Sequence, residues 1–82
     1  MTEYGIRIEE EFYEATSSRV IASRTCWEVY SDQCTIDKGL VEYGGPIGEK
    51  EARKRAEKAA TLHAKQEAAK AKIVTYEFTP EI

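Results

Sequence analysis

The chain has little cysteine, little proline and no long apolar run. Two cysteines and two prolines are present among 82 residues, and no apolar stretch approaches the ~20 residues that a membrane-spanning helix needs. The start, MTEYGIRIEEE, lacks both the basic and the apolar region of a signal peptide. These absences predict a soluble protein, and the cytoplasm is its expected compartment.

The two cysteines lie close together in the sequence, at Cys26 and Cys34. A disulfide between them would centre a hairpin turn on Tyr30, but Val29 and Ser31 beside it are poor turn residues. In one extended strand the two Cα atoms would be about 26 Å apart, far beyond the ~7 Å limit for a disulfide. We therefore predict two free thiols, which fits a reducing compartment. Because a C-x7-C pair with a lone histidine elsewhere is not a zinc pattern, no metal or other cofactor is expected.

The composition is that of a folded globular protein. Apolar residues make up 41% of the chain and charged residues 33%, with too much Ile, Val, Tyr and Phe for a disordered chain. A chain of 82 residues has room for one core. We therefore predict a single domain, residues 1–82.

Residues 4–13, YGIRIEEEFY, alternate between apolar and polar side chains. This period of two is typical of a half-buried strand. The residues expected to point inward are Tyr4, Ile6, Ile8 and Phe12. Glu10 interrupts the apolar side and is interpreted as a bulge or a strand end. Residues 14–18, EATSS, are predicted to form a loop.

Residues 19–30, RVIASRTCWEVY, are rich in β-branched and aromatic side chains and predict a second strand. Two sets of residues are candidates for its inward face: Ile21, Trp27 and Val29, or Val20, Ala22, Cys26 and Tyr30. We favour the first set because Trp27 has the most area to bury.

A turn and a short third strand are predicted next. Asp37-Lys38-Gly39 is a turn signal, and residues 40–43, LVEY, are β-forming. The glycine- and proline-rich residues 44–48 then end the strands.

A long helix is expected from about residue 48 to about residue 71, with Glu49 and Glu51 in its first turn. A closing strand follows, in which Val74, Tyr76 and Phe78 alternate with polar residues up to Pro80. The order β-β-β-α-β predicts an α+β fold of two layers, in which the helix packs on one face of an antiparallel sheet of three or four strands.

One side of the helix carries small residues that suit close packing on a sheet. At about 100° per residue, a single face collects the following residues: Ala52, Ala56, Ala59, Ala60 and His63. A helix of about 24 residues spans ~36 Å, whereas strands of about seven residues span ~23 Å. About a third of the helix would then overhang the sheet and offer a surface for a homodimer or another partner, unless the strands are longer than predicted.

Charge is distributed unevenly along the chain. Residues 49–72 carry eight Lys or Arg against four Glu, a net +4, and the remainder carries four against eleven, a net −7. The solvent face of the sheet is expected to present five carboxylates, offset in part by Arg7 and Arg24. These five are the predicted binding residues for a protein partner with a basic surface: Glu9, Glu11, Glu28, Glu42 and Glu77. The alternative is that the acidic run, residues 9–14, protects an exposed strand from edge pairing; it lacks the fixed spacing of a calcium loop.

The helix provides an alternative, nucleic-acid-binding site. Its candidate residues are Lys50, Arg53, Lys54, Lys58, Lys65 and Lys72. Contacts of the five lysines with phosphates would release counterions. The segment lacks interleaved aromatic residues for base stacking and an arginine fork for base reading, so a solvated helix face is the competing interpretation.

No stretch of the sequence predicts an active site, and we do not expect an enzyme. His63 is interpreted as a packed residue with one hydrogen bond to the sheet. A dyad of His63 with Cys26 or Cys34 is conceivable, but no oxyanion donor or orienting carboxylate accompanies it. GGPIGEK, residues 44–50, does not match the phosphate-loop spacing.

The succession of strands, EYGGPIGEKEARKRAE and a closing KIVTYEF resembles the short orphan proteins encoded by bacteriophages and other mobile elements. The resemblance is one of size and layout over residues 4–79, and no functional residue is carried over from it. It implies a small module that binds a host protein, as an inhibitor or modulator of host machinery in the host-cell cytoplasm.

Overall fold

Three consecutive strands form an antiparallel meander, and a fourth strand joins it after a helix. The computed structural model describes residues 2–15 and 20–80. The elements are β1 (Thr2–Ala15), β2 (Val20–Ser31), β3 (Cys34–Val41), α1 (Gly45–Gln66) and β4 (Ala71–Thr79). The strands are arranged in the order β3-β2-β1-β4, and α1 packs on one face of the sheet. The predicted β-β-β-α-β order and α+β class are confirmed.

The sheet is mixed and not purely antiparallel as predicted. β1 pairs antiparallel with β2 and β2 antiparallel with β3, but β4 pairs parallel with β1. Alternation along a strand reveals that the segment is a strand but not which way it runs. The direction follows from the crossover: α1 carries the chain back, so β4 runs in the same direction as β3 and therefore as β1.

Most of the inward face that the sequence predicts for β1 is confirmed. Tyr4, Ile6 and Ile8 are buried under α1, but Phe12 is 46% exposed, contrary to prediction. The strand extends through Glu14 and Ala15, which were predicted to be loop residues. Residues 16–18 of that predicted loop lie outside the described residues.

Glu10 is neither a bulge nor a strand end. The pairing of β1 with β2 runs without a register shift from Gly5 to Ala15. The Glu10 side chain turns to the helix side of the sheet, where its Oε2 accepts a hydrogen bond from the backbone N–H of Gly45. Gly45 is the first residue of α1, so Glu10 satisfies one of the N–H groups that a helix start leaves without an intrahelical partner. Since α1 begins beside Glu10, Phe12 lies beyond the helix, which explains its exposure.

The favoured inward face of β2 is confirmed for Trp27 and Val29, which are buried. The side chains of Val20 and Ile21, like the whole of Arg19, fall outside the described residues. Cys26 and Tyr30 belong to the opposite face of the sheet, because Cys26 pairs with Glu9 and Tyr30 with Gly5.

The third strand is longer than predicted, and the turn before it lies elsewhere. Asp32 and Gln33 form a two-residue hairpin turn with φ of 50° and 65°, the left-handed values that such turns require at both positions. The predicted turn Asp37-Lys38-Gly39 lies inside β3. Gly39 is explained by packing instead, because a Cβ atom there would lie 2.5 Å from the Trp27 ring.

The helix starts and ends earlier than predicted. It begins at Gly45 with Pro46 in its first turn, a position where the missing N–H of proline costs nothing. Glu49 and Glu51 therefore lie beyond the first turn, which holds no acidic residue. At the other end Ala68 adopts φ 54°. The N–H of Ala69 bonds to the carbonyl of Ala64 at 2.9 Å, and the N–H of Ala68 to that of Lys65 at 3.0 Å; this is the Schellman pattern that terminates helices.

The small-residue face of α1 packs against the sheet along its whole length. Its buried positions recur every four residues: Gly48, Ala52, Ala56, Ala60 and Ala64. The helix of 22 residues is about 33 Å long, whereas β1 with 14 residues extends about 46 Å. The predicted helix overhang is therefore absent, and the alternative of longer strands is the correct one.

The helix terminus gives a stability prediction. Ala68→Gly should raise the free energy of unfolding by about 0.5–1 kcal/mol, because glycine adopts the left-handed conformation without the Cβ strain that alanine incurs. Urea denaturation followed by circular dichroism measures the change. Ala69→Gly is the matched control: Ala69 has no positive φ, so that variant should be less stable than the unsubstituted chain. Equal stability of the two variants would contradict the assignment of the terminus.

Candidate functional site

The candidate site is the face of the sheet opposite α1, termed the outer face. No helix or strand of the described chain covers it. Register places on it the following side chains: Arg7, Glu9 and Glu11 of β1; Arg24, Cys26 and Glu28 of β2; Lys38 and Leu40 of β3; and Glu77 of β4. An uncovered face of this kind is the part of a two-layer fold that remains available for a partner.

A polar ladder crosses all four strands of the outer face. Arg7 lies at its centre, with Nη1 2.8 Å from Glu28 Oε1 and Nε 3.3 Å from Glu77 Oε2. Thr35 on the edge strand β3 donates its hydroxyl to Glu28 Oε2. The hydrogen bond to Glu77 and that to Glu28 raise the pKa of Arg7 above its usual value. The guanidinium also stacks on the Tyr30 ring, 4.9 Å from the centroid, so Arg7 is held from three sides.

A second cluster lies near the C-terminal end of β1 and on the part of β2 that pairs with it. Arg24 Nε is 2.5 Å from Glu11 Oε1, and the Arg24 guanidinium lies 5.0 Å from the Tyr13 ring centroid. The hydrogen bond from Arg24, together with one from the Cys26 thiol at 3.4 Å, lowers the pKa of Glu11. Burial, and then the hydrogen bond to Glu11, raise the pKa of Cys26. The thiol is therefore held in its neutral, weakly nucleophilic form.

The five carboxylates predicted to bind a partner divide into two groups. Glu11, Glu28 and Glu77 lie on the outer face, where each forms an ion pair with an arginine of the same face, two arginines serving three carboxylates. Glu9 lies on the same face, and Glu42 follows directly after β3; both are exposed and have no hydrogen bond or ion pair within residues 2–15 and 20–80. The expected acidic surface is therefore a mixed surface, and Glu9 and Glu42 are the two of the five predicted carboxylates that have no ion-pair partner in the described chain.

A groove of about 610 Å³ runs between the two clusters, from β1 to β3. We call it the Leu40 groove; its outer-face lining is Arg7, Glu9, Cys26, Glu28, Lys38 and Leu40. Leu40 is 43% exposed and supplies apolar surface. Glu9 on β1 and Lys38 on β3 are charged groups without an ion-pair partner in the described chain, and by strand spacing they lie about 12 Å apart. The groove therefore combines an apolar wall with one free charge of each sign.

Sequence reasoning missed Lys38 and Leu40 as site residues, because it interpreted Asp37-Lys38-Gly39 as a turn and began the third strand at residue 40. The signal that could have located them is the β-forming run CTIDKGLV, residues 34–41. Read as one strand, it puts Lys38 and Leu40 on the same face two residues apart.

The predicted lysine site is partly assembled by the structure. Lys50, Lys54, Lys58 and Lys65 are exposed on α1, on the side away from the buried stripe. Lys72, however, belongs to β4 and is not part of the helix. Arg53 is also engaged elsewhere: its Nε bonds to Glu57 at 3.0 Å and its guanidinium stacks 4.7 Å from the Tyr76 ring centroid.

His63 has the packed role that the sequence predicted. Its Nδ1 lies 2.7 Å from the hydroxyl of buried Tyr4, and the two rings meet edge to face. Burial, and then the nearby charge of Glu67, raise the pKa of Tyr4, so its hydroxyl stays protonated in this contact. Neither Cys26 nor Cys34 bonds to His63, and the described residues contain no group of three or more potential metal ligands.

The chain matches no known protein family, and searches of curated proteins and of solved structures found no similar protein. In the described part of the chain, no helix combines the length and the apolar character that crossing a membrane requires.

Both cysteines are free, as predicted, and we expect them to react at different rates. Cys34 is exposed, whereas Cys26 is half-buried with a raised pKa. Iodoacetamide should therefore label Cys34 several-fold faster than Cys26, as followed by peptide mass spectrometry over time. Glu11→Gln should speed the labelling of Cys26, because it removes the charge that opposes the thiolate. Equal labelling rates in the folded protein would contradict this environment for Cys26; in urea the rates should converge.

Proposed function

We propose that this protein is a non-enzymatic protein-binding module that holds a segment of its partner in the Leu40 groove. The observation that carries the proposal is the combination, in one groove, of the half-exposed Leu40 with Glu9 and Lys38, which have no ion-pair partner among the residues that the structure describes. Exposed apolar surface bordered by charged groups is typical of interaction sites. The neutral thiol of Cys26 and the engagement of His63 with Tyr4 argue against a nucleophilic reaction at either residue.

The charges of the groove define the chemistry of its occupant. An apolar side chain would contact Leu40, a basic side chain would pair with Glu9, and an acidic one with Lys38. In an extended segment, alternate residues point the same way, about 6.7 Å apart. The pattern basic-x-apolar-x-acidic therefore spans about 13 Å, close to the separation of Glu9 and Lys38.

The surface around the groove is pre-organised for such a contact. Glu28, Arg7 and Glu77 fix one another across three strands. Side chains held in this way lose little conformational freedom on binding, which reduces the entropic cost of association. The same ion pairs also leave Glu9 and Lys38 as the groove charges that a partner can neutralise.

The resemblance in size and layout to bacteriophage and mobile-element proteins suggests the setting. On that basis the partner would be a component of host machinery in the host cytoplasm, and occupation of its binding segment would inhibit or modulate it. This part of the proposal rests on the resemblance, whereas the groove chemistry rests on the residues.

Titration with a peptide tests whether the Leu40 groove binds a segment of the proposed chemistry. The probe is the capped pentapeptide Lys-Ala-Leu-Ala-Glu, followed by amide chemical shifts of the isotope-labelled protein. We expect saturable shifts centred on Glu9, Cys26 and Leu40, with a Kd of about 1 mM, as befits so short a segment. Replacing the central leucine of the peptide by serine should weaken binding about tenfold, because the apolar contact is lost.

Protein variants provide the matched controls. Leu40→Ser should weaken binding about tenfold and Glu9→Gln a few-fold. Glu57→Gln makes the same change of charge on α1, away from the outer face, and should leave the Kd unchanged. Shifts confined to the helix, or an unchanged Kd for Leu40→Ser, would overturn the proposal.

A second candidate function is nucleic-acid binding through α1. It is favoured by Lys50, Lys54, Lys58 and Lys65, which are exposed and make no ion pair within the described residues. Titration of a short DNA duplex in the same assay distinguishes the two functions. Shifts on α1 that weaken steeply with salt, without any peptide binding, would replace the first proposal by the second.

A further inference from the structure

We propose that two copies of this chain associate through β4, which joins their sheets edge to edge. β4 is an edge strand of the sheet and pairs on one side only, with β1. Its other side presents backbone N–H and C=O groups that have no strand partner within residues 2–15 and 20–80. Such an edge is a template for adding a strand. This inference is independent of the groove function proposed above.

The two edges of the sheet differ in how well they resist pairing. β3 carries adjacent charges at Asp37 and Lys38 and an extra residue at Ile36, and its Leu40 carbonyl accepts a hydrogen bond from Arg55 at 3.3 Å. Charges and bulges of this kind protect an edge. β4 also carries two charges, Lys72 and Glu77, and an extra residue at Val74. Its charges are not adjacent, however, and the four residues between them, IVTY, are uncharged and β-forming.

A bulge in β4 makes its sequence complementary to itself. The register against β1 shifts at Val74, so that Lys72 lies beside Glu3 on the neighbouring strand, and Glu77 lies beside Arg7. Glu3 and Arg7 are four residues apart on one strand and share a face. Lys72 and Glu77, which are five residues apart, therefore also share the outer face. Without the extra residue, they would lie on opposite faces.

The charges of Lys72 and Glu77 favour one register for two antiparallel β4 strands. In this register the twofold axis of the dimer passes between Val74 and Thr75. In an antiparallel pair of β4 strands, Lys72 lies opposite Glu77 of the partner subunit, and the reverse pair repeats it. On the helix side Ile73 lies opposite Tyr76 of the partner subunit, and Ala71 opposite Phe78 of the partner subunit. Residues directly opposite in such a pair have Cβ atoms about 5 Å apart, within reach of ion pairing and apolar contact.

The occupant of this edge is therefore a second copy rather than an unrelated strand. Lys72 makes no ion pair within the described chain and gains one in the dimer. Ile73, Tyr76 and Phe78 are partly buried hydrophobics against the core, and the dimer would cover their remaining surface. The result is a continuous eight-stranded sheet whose two outer faces, each with a Leu40 groove, lie on the same side.

Charge reversal of the full chain tests the dimer by sedimentation equilibrium. The unsubstituted protein should show twice the mass of one chain. Lys72→Glu and Glu77→Lys should each raise the dissociation constant by about tenfold or more, because two attractions become two repulsions. An equimolar mixture of the two variants should restore the dimer, since every opposite pair is then again of unlike charge.

Controls keep the result interpretable. Lys72→Glu breaks no ion pair of the described chain, and Arg7 keeps Glu28 in Glu77→Lys, so circular dichroism should show both variants folded. Lys70→Glu makes the same charge change just before β4 and should remain dimeric; Lys72→Gln gives a milder version of the test. A monomer at every concentration up to about 1 mM, or a dimer that is indifferent to Lys72→Glu, would overturn the proposal.

Discussion

The architecture depends on a helix that approaches the sheet so closely that nothing larger than a methyl group separates them. Gly48 and the alanines at 52, 56, 60 and 64 are all buried in this contact. At Gly48 the space is too small even for a methyl group, because a Cβ atom there would lie 2.4 Å from the carbonyl oxygen of Tyr43 and 2.5 Å from Thr25 Oγ1. Thr25 in turn donates to the same carbonyl at 2.8 Å. The start of α1 is therefore fixed against the middle of β2 and against the segment that follows β3.

This contact determines what the rest of the molecule has available for function. One face of the sheet is covered by α1, so the opposite face is stabilised by other means. Arg7 and Arg24 tie the carboxylates of β1, β2 and β4 together, and stack on Tyr30 and Tyr13. A face organised by ion pairs remains hydrated and open. Glu9 and Lys38, the two groove charges that have no ion-pair partner among the described residues, flank the apolar wall of Leu40. The uncovered edge of β4 supplies the other open surface.

Features that depend on local periodicity could be predicted from the sequence. Alternation located the inward side of β1 from Tyr4 to Ile8, and the alanine spacing located the packing face of α1, including His63. The failures concern residues whose reasons lie in distant parts of the chain. Gly39 suggested a turn, but it is a glycine because Trp27 packs over it. Glu10 suggested a break, but it bonds to the start of a helix 35 residues later.

The sequence predicts which face of the sheet carries the candidate site, but not which charges of that face form ion pairs. Parity along the strands placed Glu9, Glu11, Glu28 and Glu77 on the outer face. Which of them remain unpaired depends on the cross-strand register, since Arg7 lies opposite both Glu28 and Glu77. The sequence contains no local signal for that register, nor for the parallel direction of β4. The acidic surface expected from charge counting was therefore replaced by a mixed one.

The free energy of unfolding of Gly48→Ala tests the close helix–sheet contact most directly. In a helix interior with free space, alanine is more favourable than glycine by about 1 kcal/mol, so the variant would be more stable. The close contact predicts the opposite sign, a loss of about 1–3 kcal/mol in urea denaturation, because the added methyl group collides with the backbone of Tyr43. A Gly48→Ala variant as stable as the unsubstituted protein, or more stable, would contradict the account.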